Sequence, residues 1–189
     1  MEKRWVKASD CNDDTINKIA EELNIDHSLA QILVQRNICS FDEAKNFFRP
    51  NLEHLHNPFL MKDMDVAVAR IEVAIDNQEK ILIYGDYDVD GTTSVALAYS
   101  FFSQLTTNIE YYIPDRNLEG YGISTVGIDY AKDNGFTLII ALDCGIKSID
   151  KIDYANTFGI DFIICDHHLP GDELPKALAV LDPKRKDCQ

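Results

Sequence analysis

The spacing of apolar residues changes character near Lys80. Before it the chain reads as short helices: Asp13 to Leu23, Asp26 to Arg36 and Ser40 to Phe48. The third opens with a Ser-x-x-Glu capping box at Ser40 and Glu43 and is stopped by Pro50. "NLEHLHNPFLMKD" has little periodicity and reads as a linker, in which His54 and His56 are solvated loop residues before they are ligands. Asp65 to Asn77 then places Val66, Ala69, Ile71, Val73 and Ala74 as a partly amphipathic helix.

From Lys80 onward, strands alternate with helices. "KILIYG", "IEYYI", "TLIIAL", "DFIIC" and a final "ALAVLD" read as strands, with helices over "TTSVALAYSFFSQL", "STVGIDYAKDNG" and "SIDKIDYANTFG" between them. Gly135 and Gly159 sit where helix C-caps belong. This alternation predicts an α/β domain, a parallel sheet flanked by helices, over residues 61–189, behind a helical lead-in over 1–60.

Composition narrows the setting. No apolar run approaches the roughly 20 residues of a membrane span, and "MEKRWVKASD" has no apolar core of a secretory signal, so a cytoplasmic protein is expected. Cys11, Cys39, Cys144, Cys165 and Cys188 form no CxxC pair, which argues for reduced thiols rather than a disulfide frame or structural zinc. The net charge of -14 argues against a chain that grips nucleic acid over its whole surface.

The chemistry lies where strands end. One predicted strand runs into Asp86, Asp88 and Asp90, another into Asp143, and another into Asp166, His167 and His168. In an open parallel sheet the carboxyl ends of strands line a common crevice, so these clusters should converge. Two unit charges 4 Å apart repel by roughly 4 kcal/mol at an effective dielectric near 20, so gathered carboxylates call for a cation. Carboxylates mixed with imidazole suit manganese, magnesium, zinc or iron, and a surplus of ligands suggests two ions. The plainer alternative is that each acid caps the helix after it. In "PDRNLEGYG" the Arg116 fork could hold a phosphate, and Gly120 and Gly122 let backbone approach a ligand; a surface Arg–Glu pair is the alternative. Cys144 and Cys165 read as buried small residues beside the acids rather than ligands.

Together "YGDYDVDGTTS", "PDRNLEGYG", "ALDCGI" and "CDHHLP" resemble the DHH phosphoesterases, and among them the RecJ-type single-strand DNA exonucleases, whose helical lead-in the amino-terminal stretch also resembles. The resemblance implies a manganese- or magnesium-dependent hydrolase with two ions. Asp88, Asp90, Asp143 and His167 would hold them, with Asp86 and His168 as further ligands or supports, and Arg116, Gly120 and Gly122 toward the substrate. It implies removal of nucleotides from the 5′ end of single-stranded DNA in recombination and repair, beside a single-strand-binding protein and a helicase. It further implies a continuation beyond this chain, with another metal-binding Asp, a DHHA1-type domain and an OB-type fold that would carry the basic clamp. Smaller DHH enzymes that cleave oligonucleotides or cyclic dinucleotides share these motifs, and a non-catalytic scaffold would lack the metal ligands kept here. "DVDGTT" also fits the DxDGT pattern of haloacid dehalogenase-like phosphatases, but Gly85, Asp86 and Tyr87 separate that Asp from its strand.

Overall fold

The computed structural model describes Arg4, Val6 and residues 12–188, so Cys11 lies outside the described residues. The chain divides into two compact units, Met1–His56 and Asn57–Gln189, a little before the boundary read from the sequence.

The first unit holds α1 (Asp13–Leu23), α2 (His27–Gln35) and α3 (Phe41–Phe48) around Ile16, Ile19, Ala30, Leu33, Val34, Ile38 and Ala44. Each helix is started by a polar side chain. Asn12 accepts the Asp14 N–H, Asp26 accepts the Ser28 N–H, and Ser40 accepts the Glu43 N–H. Glu43 reaches back to the N–H of Cys39 at 2.7 Å, one residue outside the predicted box. The stretch read as a featureless linker contains two single 3-10 turns, Leu52–His54 and Pro58–Leu60. His54 is occupied in the first, its Nδ1 accepting the Asn51 N–H.

In the second unit the chain runs through α4 (Met64–Asp76), β1 (Ile81–Gly85), α5 (Val89–Phe102), β2 (Ile109–Tyr112), α6 (Thr125–Asp133), β3 (Leu138–Leu142), α7 (Ile149–Asn156), β4 (Asp161–Cys165) and β5 (Ala179–Leu181). The strands form one sheet in the order β2-β1-β3-β4-β5, every pair parallel. Alternate strand residues serve opposite layers. Leu82, Tyr84, Ile139, Phe162 and Ile164 pack with Ile128 of α6 and Ile152 of α7, while Ile81, Ile83, Leu138, Ile140 and Ile163 pack with Ala67 and Ala74 of α4 and Val95 of α5. Both faces are therefore covered, which is why these strands read as unbroken apolar runs. Gly135 and Gly159 take φ of 75° and 72° just past α6 and α7.

The sheet is pinned at its amino-terminal end by Arg70 of α4. Its Nη2 and Nε meet Glu79 and Asp161, each at 2.7 Å. The opposite end carries the acids. The connection leaves β1 for β2 on one side and returns for β3 on the other, so the crevice of a doubly wound sheet opens between the carboxyl ends of β1 and β3. Asp86 and Asp143 stand there.

Candidate metal centre

Two glycines let α5 start against the end of β1. A Cβ on Gly91 would fall inside the Asp86 backbone, 2.7 Å from its nitrogen, and one on Gly85 would meet the Val95 side chain and the Gly91 carbonyl. The sequence pattern predicts a helix from Thr92; it begins at Val89 because Asp88 serves as its cap, Oδ1 accepting the Gly91 N–H at 2.9 Å. Asp90 thus lies in the first turn of a helix, not in a loop, and both Asp88 and Asp90 are exposed. The alternative of a plain helix cap is thus realised at Asp88, whatever else its other oxygen does.

Asp86 is wholly buried. Its Oδ1 accepts the Gly122 N–H at 3.3 Å, while Oδ2 is buried with no partner among the described residues. A buried acceptor without a donor is costly, and a cation is one way to satisfy it.

Asp143 follows β3 with φ of 60°, its N–H donating to the Cys165 carbonyl at 2.8 Å. Its Oδ1 lies 2.9 Å from Nε2 of His167. Burial and the charge of Asp88 push its carboxyl above the ordinary value, against the pull of His167 and His168, and Asp90 adds to the push. The same field reaches Tyr121, whose hydroxyl is pushed up to about 12 by burial and then by Asp86, Asp88 and Asp143.

Asp166 has a different task. Its Oδ1 accepts the N–H groups of His167 and His168 at 2.7 and 3.0 Å and pairs with His168 Nδ1 at 2.7 Å; Oδ2 accepts the Ile146 N–H at 3.0 Å. Burial pushes this carboxyl up, but the N–H groups of His168 and Ile146, with the His168 ring, outweigh it and hold it below the ordinary value. Asp166 is spent on bracing. The bond it makes to His168 raises that imidazole's pKa and, in the neutral ring, puts the proton on Nδ1 and the lone pair on Nε2.

Asp143, His167 and His168 offer ligand atoms that all lie within 4.8 Å of one another. Asp88 and Asp90 stand outside that tight group but close enough for their charge to act on Asp143. A carboxylate oxygen and two imidazole nitrogens gathered this closely fit a divalent cation, and the unpartnered Asp86 oxygen at the end of the neighbouring strand is a further donor. Cleft space opens on both sides of the histidines: about 360 Å³ against Asp143 and His167, floored by Met61, Met64 and Leu181, and about 350 Å³ between Tyr121, Lys147 and His168.

Other expected site residues are placed less directly. Arg116 is exposed, its guanidinium 5.3 Å over the Tyr87 ring. Glu119 does not pair with it, being engaged by Tyr112, Ser124 and Asp115. Gly120 and Gly122 have φ of 84° and 79° and open space where a Cβ would be, so backbone conformation, not crowding, is what glycine supplies there. Cys144 is buried and its thiol pushed well up by burial; that of Cys165 is pushed up to about 12 for the same reason. Both pack with the core, Cys144 within it and Cys165 partly buried against it.

The bracing role of Asp166 and the part played by Gly91 were missed in the sequence. An Asp two residues before a His is a signal for such a brace, and a Gly in the first turn of a helix that follows a strand is one for close backbone approach. Asp182, directly after β5, also went unremarked: it is wholly buried, caps the Lys184 N–H at 2.7 Å through Oδ1 and leaves Oδ2 without a partner among the described residues.

Residues 80–189 match the model of the DHH family, N-terminal domain. The chain is 40% identical over 175 residues to the single-stranded-DNA-specific exonuclease RecJ of Bacillus subtilis, covering 93% of this chain and 22% of that protein. It is 41% identical over 130 residues to the RecJ of Salmonella typhimurium, covering 68% of this chain and 22% of that one. The chain thus spans about a fifth of the length of these relatives. A crystal structure of exonuclease RecJ bound to manganese superposes with a TM-score of 0.65 at 28% identity, over 71% of this chain and 34% of that one. RecJ of Thermus thermophilus in complex with Mn2+ gives 0.66 at 23% identity, over 93% of this chain and 24% of that one, a likeness of fold. These matches leave the haloacid dehalogenase reading of Asp88 to Thr93 without support. Among the described residues no helix is long and apolar enough to cross a membrane.

Proposed function

The chain belongs to the DHH family, and from that premise we propose that it forms the metal-binding portion of a nuclease that hydrolyses phosphodiester bonds of single-stranded DNA from the 5′ end. On this reading Asp86, Asp88, Asp90, Asp143 and His167 hold two Mn2+ or Mg2+ ions, with His168 presenting Nε2 to the same space. The observation that supports it most is the meeting of Asp143 with the Asp166-braced His167 and His168 within 4.8 Å at the carboxyl ends of β3 and β4, beside a β1 that ends at Asp86, one of whose oxygens has no partner among the described residues. The RecJ relatives at 40% and 41% identity support the choice of single-stranded DNA as substrate.

Bound divalent ions would supply a water of lowered pKa and offset charge on the oxygens of the phosphate. The protein's own contribution is positional. Asp166 holds the proton on His168 Nδ1 so that Nε2 stays open, and Asp143 meets His167 to fix the facing edge of the cleft. Asp88 is immobilised by the cap it provides to α5. Arg116, stacked on Tyr87 and free of a carboxylate partner among the described residues, offers its fork to a phosphate, and Gly120 and Gly122 further along the loop leave the backbone there uncovered by side chains. The same reading places the protein in the cytoplasm, in recombination and repair, beside a single-strand-binding protein and a helicase.

The test is hydrolysis of a 5′-labelled single strand in Mn2+ by a polypeptide of the relatives' full length that contains this chain. Asp90→Ala and Asp143→Ala should each nearly abolish it, because each removes charge that holds an ion. Wild-type rates in both variants, or full activity in excess chelator, would overturn the reading.

A further inference from the structure

We propose that Glu119 is a positioning residue for the metal centre: it touches none of the suggested ligands, yet sets how Asp86 is held. This rests on the metal-binding reading above.

Glu119 lies in the loop between β2 and α6, and its carboxylate collects three donors. Oε1 accepts the Asp115 N–H at 2.8 Å; Oε2 accepts the hydroxyls of Tyr112 at 2.9 Å and Ser124 at 2.5 Å. Those donors come from the end of β2, the start of the loop and the cap of α6, so one side chain ties both ends of the loop together. Ser124 passes the restraint on. Its N–H donates to the Tyr84 hydroxyl at 3.0 Å, and that hydroxyl donates to the Gly122 carbonyl at 3.0 Å. Gly122 is thereby fixed from its carbonyl side while its N–H donates to Asp86 Oδ1. That N–H is the one hydrogen-bond donor to the Asp86 side chain among the described residues, so the loop decides which Asp86 oxygen is occupied and which is left for a cation.

Glu119 adds nothing to the apolar core, which is built from the strands and from Ile128, Ile152 and their neighbours. Its loss should therefore appear first in ion affinity. Because a merely structural role would also lower stability, two separate quantities are needed: the melting temperature in chelator, and Mn2+ affinity of the 189-residue chain by calorimetry or by the electron paramagnetic resonance of free Mn2+.

Glu119→Gln should weaken the tightest Mn2+ site by up to about 10-fold, the low end for a group bonded directly to a ligand, because Glu119 acts on Asp86 through Ser124, Tyr84 and Gly122. Tyr112→Phe removes one of the three donors, keeps the ring stacked on Tyr84, and should weaken it severalfold. Tyr154→Phe deletes a tyrosine–carboxylate bond of similar length, 2.8 Å to Asp129, away from the loop, and should leave Mn2+ affinity unchanged. Wild-type Mn2+ affinity in both Glu119→Gln and Tyr112→Phe, with any deficit confined to the metal-free melt, would overturn the proposal; the second variant keeps the test decisive if the first folds poorly. A wild-type chain that binds no Mn2+ would instead refute the metal reading itself, and this proposal with it.

Discussion

Asp143→Asn should make the metal-free chain more stable and the metal-dependent gain disappear. The Asp143 side chain is only 6% exposed, and burial together with Asp88 disfavours its charge. Two unit charges 4 Å apart at an effective dielectric near 20 repel by roughly 4 kcal/mol, an upper bound here because Asp88 and Asp90 stand outside the group gathered within 4.8 Å of Asp143. Asp88 and Asp90 are exposed and screened by water, and His167 at 2.9 Å offsets part of the repulsion, which leaves a net on the order of 1 kcal/mol for neutralising the carboxylate. Asn is the suitable probe because it keeps the size, tolerates the φ of 60° and leaves the N–H bond to Cys165 intact. At roughly 2–4 °C per kcal/mol for a domain of this size, the variant in chelator at pH 7 should melt about 2–4 °C above wild type. Wild type should gain about 2.7 kcal/mol, or roughly 5–11 °C, at Mn2+ near 100 times Kd, and the variant little of that. The pH dependence carries its own sign. A carboxyl raised in the fold stabilises the chain most in acid, below its ordinary 3.8, and that contribution drains away as pH rises through the folded value. The gap between variant and wild type should therefore close in acid and open toward neutrality. A variant less stable than wild type in chelator at pH 7, or one that keeps the full Mn2+ shift, would refute this account of the centre.

Three further outcomes are expected. His168 is raised above its ordinary 6.5 by Asp166 and must lose its proton to bind an ion, so Mn2+ affinity should fall by up to about tenfold per pH unit below that raised value, with proton release seen as buffer-dependent heats; constant affinity from pH 8 to 6 would contradict it. Gly91→Ala should cost about 1–3 kcal/mol by forcing the start of α5 off the Asp86 backbone and should weaken Mn2+ binding with it; an unaltered melt and affinity would show that α5 can shift without consequence. Arg70→Met strands Glu79 and Asp161 at the opposite end of the sheet, which after screening of these partly exposed acids should cost about 2 kcal/mol while leaving the Mn2+-induced shift intact; loss of that shift would mean the two ends are coupled.

The sheet, and the meeting of Asp143 with the histidines at its strand ends, were legible because both follow from period and order. Alternating apolar strands and helices with short connections permit few topologies, and a parallel sheet brings its strand ends together wherever the helices go. Detail that depends on three-dimensional neighbours was hidden. The pattern places the start of α5 three residues late because "DVDG" fits ligands as well as a cap, and the Asp88 side chain caps the helix from Val89. Glu119 looked like a charge for Arg116 because the two are close in sequence, yet Tyr112 and Ser124 claim it through the fold. Asp166 carries the same side chain as Asp86, and only the fold shows that its oxygens are spent on four hydrogen bonds while Asp86 keeps one oxygen without a partner among the described residues.

Charge then orders the parts. The chain carries -14, of which residues 1–60 contribute -3 (seven basic, ten acidic) and residues 61–189 contribute -11 (eleven basic, twenty-two acidic), so neither stretch is a basic clamp. A phosphate backbone approaching bare Asp86, Asp88, Asp90 and Asp143 meets four like charges in a crevice whose buried members water screens poorly. Two divalent cations would bring +4 against that -4, and with His167 and His168 neutral the centre itself would carry no net charge. On the proposed reading the ions therefore do more than reaction chemistry: without them, the surface that should face a nucleic acid repels it. This also accounts for the economy with which Asp166 is used. By spending its own charge on three N–H groups and one imidazole, it lets two histidines stand at the mouth of β4 without adding a fifth free carboxylate to the crevice.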